Sequence, residues 1–335
     1  MISIIFFRLR NFISAIFLVV PGLLIAQQPS PSPSPAISGA RETAVSFPVS
    51  VSGSNPPVIT AKAAVLFDAQ TGKIILKHNE TESRPVASTQ KLLTALIVAE
   101  SGNLDKPVII DKSDTMVLPT KLGIRAGEVY TRRGLLVALL VKSANDVAVA
   151  LARDNAGSVA AFAEKMNRRM ADLKGTSSHF VNPNGLPCDT QYSTARDMAI
   201  VARTVYANPI LREIVGYRAI SFRFNSGKTV ILPNTNHLLR DYAFCNGMKT
   251  GYTDKAGHCL IASGSWRGKD IIAVILGEPA RSKIWKDGQS LLVYGLGLTP
   301  EEVAASRLTK ATTAPKKNKK SGAPVSKQRK HTRRT

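Results

Sequence analysis

Two side chains three residues apart set the question this sequence poses. Ser88 and Lys91, in "RPVASTQKLLTALIVAESG" (84–102), form the only Ser-x-x-Lys of the chain. A hydroxyl is a poor nucleophile until a neighbouring base takes its proton, and a lysine is such a base only when its pKa is lowered. Burial and a second cation both lower it. On a helix, residues three apart share a face, which brings the Lys91 ammonium within reach of Ser88. The plain alternative is an N-cap serine followed by a solvated lysine, so the rest of the chain has to decide.

Lys249-Thr250-Gly251 is the only Lys-Thr-Gly, in a stretch that reads as a strand, and Lys249 is the candidate second cation. Between the two, a Ser-x-Asn is offered twice, as Ser101-Gly102-Asn103 and as Ser143-Ala144-Asn145. Ser101 lies at the far end of the Ser88 helix, about 20 Å along its axis, too far to share a proton. Ser143 and Asn145 sit in a break between helices, where a returning loop reaches the site. The chemistry these residues support is acyl transfer. Ser88 attacks, Lys91 takes its proton, and Ser143 relays that proton from Lys91 towards the leaving amine. Asn145 bonds the substrate amide, and Lys249 and Thr250 bind a terminal carboxylate. The backbone amides of Ser88 and of Tyr252, just past Gly251, are the candidate oxyanion donors.

The elements that must position these groups follow from pattern. "AKAAVLFDAQTGKIILKHN" (61–79) reads as two strands around Gln-Thr-Gly, a hairpin. The Ser88 helix ends at Gly102. Residues 131–157 read as two apolar helices broken at Ser143-Ala144-Asn145, and Val159, Phe162, Ala163, Met166, Met170 and Leu173 keep helical spacing. Residues 196–208 are another helix. "CNGMKTGYT", "HCLIASGSW" and "DIIAVILG" are short strands, followed by a helix near 281–295. Strands first, helices in the middle and strands last predict one sheet built from both ends, with a helical cluster inserted. If "TDKAG" turns the last hairpin, Cys259 lies opposite Gly251. That puts it about 20 Å from Cys245, beyond disulfide reach.

The ends have a different character. Residues 1–26 carry Arg8 and Arg10, then an apolar run broken by Pro21-Gly22, and read as a secretory signal cleaved after Ala26, with an uncleaved anchor as the alternative. No cysteine lies nearby, which excludes a lipoprotein. Residues 27–56 open on "QQPSPSPSPAISG", an extended spacer. Residues 57–297 are the periodic, apolar catalytic part, and 298–335 the basic tail, read as disordered. From Lys310 onward the tail holds ten Lys or Arg and no acid. With a formal net charge of +22, an anionic wall polymer or membrane surface is the candidate partner, whereas export removes the chain from nucleic acid. Cysteine and histidine spacing points to no metal site and no cofactor.

In this order and context the three triplets resemble the low-molecular-weight penicillin-binding proteins, the serine-type D-alanyl-D-alanine carboxypeptidases. The resemblance runs from about 60 to 296 and includes "FAEKMNRRMADLKGTSSHFVNPNGL", "YSTARDMAIVAR", "NTNHLL" and "GMKTGYTDKAGHCLIASG". It implies an α/β (α+β) penicillin-recognising, transpeptidase-like fold, an antiparallel sheet flanked by helices with an inserted helical subdomain. It also implies acylation of Ser88 by D-Ala-D-Ala stem peptides of peptidoglycan, release of the last D-Ala, covalent inhibition by β-lactams, and a place in the periplasm or cell envelope. Two features depart from the family: Ala144 stands where glycine is common, and a basic tail replaces the β-rich domain and amphipathic helix of longer members. A D,D-endopeptidase would keep all three triplets. A β-lactamase needs a glutamate with an asparagine four residues on, and Glu164 with Asn167 is one residue short. A polyanion-binding wall protein with a dead catalytic domain is the reading from another class. His179 and Asn182 read as loop-ordering residues, and Trp266 and Trp285 as packing or rim.

Overall fold

The computed structural model describes residues 55–308, so the expected signal segment, most of the spacer and the tail beyond Leu308 lie outside the described residues. The chain opens with strands β1 (Ala63–Asp68) and β2 (Ile74–His78), the expected hairpin. A 3-10 turn, Ala87–Gln90, leads into α1 (Lys91–Glu100), whose residues are buried from Lys91 to Val98. A helix apolar on every side must be surrounded, and α1 packs against its neighbouring helices on several sides. Strands β3 (Pro107–Ile109) and β4 (Val129–Thr131) pair with each other beneath α2 (Arg132–Lys142) and α3 (Asn145–Ala156). Then follow α4 (Val159–Asp172), α5 (Ala195–Ala207) and α6 (Pro209–Val215), each opened by a side-chain cap from Ser158, Thr194 or Asn208.

Strands β5 (Ala219–Arg223) and β6 (Thr229–Pro233) form a separate hairpin, and α7 (His237–Asp241) returns the chain to the sheet. The last third supplies β7 (Cys245–Thr253), β8 (Gly257–Trp266), β9 (Lys269–Glu278), α8 (Arg281–Leu296) and α9 (Pro300–Ala305). The main sheet is antiparallel in the order β2-β1-β9-β8-β7, so both ends of the domain build it, as the order of elements predicts. Alternate residues face two cores. Val65, Ile261 and Val274 meet the helical cluster, while Leu66, Leu260 and Ile275 meet α8.

Gly251 pairs with Cys259, the register expected of the hairpin, and all three cysteines are free. The expected start of the tail, at residue 298, needs correction. Leu298 is buried, a capping box at Thr299 starts α9, and Leu308 N–H donates to the Asp241 carbonyl at 3.0 Å. The folded body therefore extends to Leu308. Apolar residues and an N-cap follow Gly297 before the basic run begins, and they pay for order that charge alone would not support.

Candidate active site

Ser88 lies inside the 3-10 turn, and its side chain caps nothing, contrary to the N-cap alternative. Ala87 just before it is held at φ 47, in the left-handed region that costs an L residue about 1–2 kcal/mol. The turn places the Ser88 hydroxyl over the first turn of α1. Lys91 Nζ is 2.7 Å from Ser88 Oγ, 2.8 Å from Asn145 Oδ1 and 2.5 Å from the Asn184 carbonyl. The Lys91 side chain is fully buried, and burial, then the Lys249 charge, drive its pKa well below 10.5 against a smaller opposing pull from Asp146. As an ammonium, Nζ donates to all three oxygens while the Ser88 hydroxyl donates to the Asn184 carbonyl at 3.3 Å; as a neutral amine, it keeps two N–H bonds to the carbonyl oxygens and has its lone pair free for the Ser88 proton. That is the geometry of a general base on a nucleophile.

Ser143 and Asn145 occupy the break between α2 and α3. Ser143, at φ 65, ends α2 and accepts a 2.8 Å hydrogen bond from Lys249 Nζ. Its hydroxyl thus faces Lys249, whereas the sequence suggests a relay from Lys91. Lys249 is fully buried on β7, also donates to the Thr250 carbonyl, and burial lowers its pKa to about 7. Asn145 donates from Nδ2 to the Leu118 and Pro119 carbonyls. With both amide hydrogens spent, a substrate can only donate to its Oδ1. The two candidate Ser-x-Asn are also separated: Ser101 closes the far end of α1 and its Oγ donates to the Ile97 carbonyl.

β7 closes the other wall. A side chain at Gly251 would begin 2.7 Å from the Ser88 amide nitrogen, so only glycine lets the strand pass this close. The Ser88 amide is therefore beside the strand carrying the second candidate oxyanion donor, Tyr252 N–H. Thr250 Oγ1 donates to Thr235 Oγ1 at 2.7 Å, and the exposed Tyr252 stacks on His258 at 4.4 Å between ring centroids. The cleft between the walls has a volume of about 480 Å³ and is bordered by Ser88, Ser143, Thr250, Arg281 and Trp285. A larger groove of about 820 Å³ lies elsewhere, between β1 and α5, and none of the triplet residues borders it.

Asn184, Gly185 and Arg281 are absent from the sequence reading. Asn184 acts through its backbone carbonyl, which any residue carries, so its type gives no signal. Gly185, at φ 82, would drive a Cβ to 2.1 Å from the Ala87 carbonyl. Asn182, read as loop-ordering, holds this segment by accepting from the Gly185 amide at 2.8 Å. Arg281 opens α8 at the edge of the cleft and has no acid partner among the described residues. Glu164 is exposed on α4 beside Arg168 and does not border the cleft.

A nucleophilic serine under a buried, deprotonation-prone lysine between a sheet and a helical cluster defines a serine acyl-transfer enzyme. A family model described as D-alanyl-D-alanine carboxypeptidase matches residues 50–280, and the chain belongs to that family, peptidase S11. It is 34% identical over 222 residues to the carboxypeptidase DacF of Bacillus subtilis, covering 65% of this chain and 57% of the relative. It is 31% identical over 264 residues to DacB2 of Mycobacterium tuberculosis, covering 77% and 90%. The chain thus spans little over half of the one relative and most of the other. A D-alanyl-D-alanine endopeptidase of Escherichia coli is 29% identical over 80% of this chain and 91% of its own. Among solved structures, a Mycobacterium tuberculosis D-alanyl-D-alanine carboxypeptidase superposes with a TM-score of 0.70 at 28% identity, over 75% of this chain and 96% of the other. A Streptomyces DD-transpeptidase reaches 0.70 at 27% identity, over 73% and 100%. The penicillin-recognising fold expected from sequence is the fold found.

Proposed function

We propose that this protein is a serine D,D-carboxypeptidase that removes the terminal D-Ala of peptidoglycan stem peptides through an acyl-enzyme on Ser88. The observation that carries this reading is the 2.7 Å contact between Ser88 Oγ and a Lys91 amine kept from protonation by burial. Lys91 takes the hydroxyl proton as Ser88 attacks, the Ser88 and Tyr252 amides hold the oxyanion, and the ester left on Ser88 is hydrolysed by water. Ser143 hands its proton to the departing D-Ala amine and takes one back from Lys249, to which it is hydrogen-bonded. In deacylation the attacking water gives a proton back through Ser143 to Lys249, and Lys91 returns its own to the Ser88 oxygen. Thr250, with Lys249 behind it and Arg281 across the cleft edge, receives the terminal carboxylate. Asn145 Oδ1 accepts from the amide of the acyl portion.

Incubation with a fluorescent penicillin followed by peptide mass mapping is expected to place the adduct on the peptide containing Ser88; an adduct elsewhere, or none, overturns the assignment. The D,D-endopeptidase reading is favoured by the near full-length similarity to the Escherichia coli endopeptidase. Release of monomers from a purified cross-linked dimer muropeptide, compared with release of free D-Ala from a pentapeptide, separates the two. An envelope location, export by residues 1–26 and anchoring of an anionic polymer or acidic lipid by the tail complete the proposal.

A further inference from the structure

The cleft has a charge pattern that the acyl-transfer roles do not use up. No Asp or Glu is among its bordering residues, nor is the buried Lys91 or Lys249; two cations are, Arg281 and Lys142. They stand on opposite walls. Arg281 opens α8, which covers the sheet, on the same side as Thr250 and β7. Lys142 is the last residue of α2 in the helical cluster, directly before Ser143. It is half-buried and has neither a salt bridge nor a side-chain hydrogen bond among the described residues. A lysine in the last turn of a helix is favoured by the helix dipole. The dipole accounts for tolerance of the charge at this position; it does not require the residue to border the cleft.

From this pattern we propose that Lys142 is a specificity-determining residue, receiving a second carboxylate carried by the acyl-donor portion of the peptide. The inference rests on the carboxypeptidase reading, in which the terminal carboxylate is taken by the sheet wall. The cation of the helical wall is then left for a charge elsewhere on the substrate. An acid-free cleft with cations on both walls focuses positive potential, so it favours a peptide with two anionic groups over one with a single terminal carboxylate. Because the Lys142 ammonium is partly solvated, its effect is that of an exposed pair, about fivefold at low salt, and it is screened as salt rises.

The test compares acetyl-Glu-D-Ala-D-Ala with acetyl-Gln-D-Ala-D-Ala, which differ only in the second carboxylate. The protein is expected to prefer the acid over the amide by about fivefold in kcat/KM, mostly through KM, with the ratio approaching one near 0.5 M salt. Lys142→Met is expected to bring the ratio to about one at low salt, and Lys142→Arg to keep it. A ratio near one in the unsubstituted protein, or a ratio that persists in Lys142→Met, overturns the inference. The salt dependence needs no variant, so a misfolded Lys142→Met leaves the proposal testable. Absence of any D-Ala release from either peptide, together with no penicillin adduct, counts against the carboxypeptidase reading itself.

Discussion

At the scale of single residues, the site depends on one amine being neutral and another being charged. In the proposed mechanism Lys91 acts deprotonated, and burial holds its pKa well below 10.5; Lys249, brought to about 7 by burial, supports the carboxylate site from behind Thr250 only when protonated. The sign follows for each limb. As pH rises through the Lys91 titration, kcat/KM rises; as it rises past about 7, Lys249 loses its proton and KM increases. A bell-shaped pH profile of kcat/KM is expected, with its alkaline limb near 7 for the free enzyme and expressed in KM more than kcat. Lys249→Met removes a repelling charge, so the Lys91 pKa rises and the acid limb, read from penicillin acylation rates, moves to higher pH. An acid limb that moves down or stays put contradicts the coupling. Lys91→Ala should slow acylation by about a hundredfold to ten-thousandfold while thermal unfolding stays cooperative. Ser88, Lys91, Ser143 and Lys249 were legible because the proposed mechanism uses their side chains, which recur at fixed spacing within each triplet. Asn184 was not, since its contribution is a carbonyl oxygen fixed by the loop.

At the scale of elements, the nucleophile is positioned by three segments pressed together: the 3-10 turn, the 182–186 loop and β7. Gly185 and Gly251 are the points of closest approach, and neither has room for a methyl group. Gly185→Ala is expected to destabilise the fold by about 2–4 kcal/mol and to slow acylation, because the added carbon meets the Ala87 carbonyl and the Ser88 amide and pushes the turn that carries Ser88. Unchanged melting temperature and unchanged penicillin labelling would show that the loop yields instead. The long helices and the main strands were legible because a buried face repeats with a period of 3.6 or 2. β3 and β4, of three residues each, are too short to show a period. β5 and β6 carry "AISFR" and "TVILP" with partly exposed faces and pack onto α2, so tertiary contact, more than local pattern, makes them strands.

At the scale of the whole molecule, the C-terminal boundary at Leu308 divides the described body from the tail that is proposed to hold it to an anionic surface. Truncation after Leu308 is expected to leave turnover of a small D-Ala-D-Ala peptide unchanged. It should also lower retention on isolated envelopes, which about 0.5 M salt releases for the full chain. Equal retention of both forms makes the tail a passenger. Truncation after Gly297, by contrast, removes Leu298, α9 and the Leu308–Asp241 bond, and is expected to lower Tm by about 4 °C. The limit of the body read from pattern falls eleven residues too early, at 297 instead of 308, although Thr299-Pro-Glu-Glu302 is a legible capping box: the helix it opens is too short to show an apolar period. The sheet order has a further consequence, in the time domain. β1 is made among the first elements, yet its partner β9 pairs Leu276 with Ala63, 213 residues later. Until then "AAVLFD" is an apolar strand with an open edge. The β9-facing edge of β1 therefore stays open until then, and Ser88 and Lys91, already made, have no Lys249 to face. Closure of the sheet, and the meeting of the two halves of the proposed site, wait on the last third of the described body.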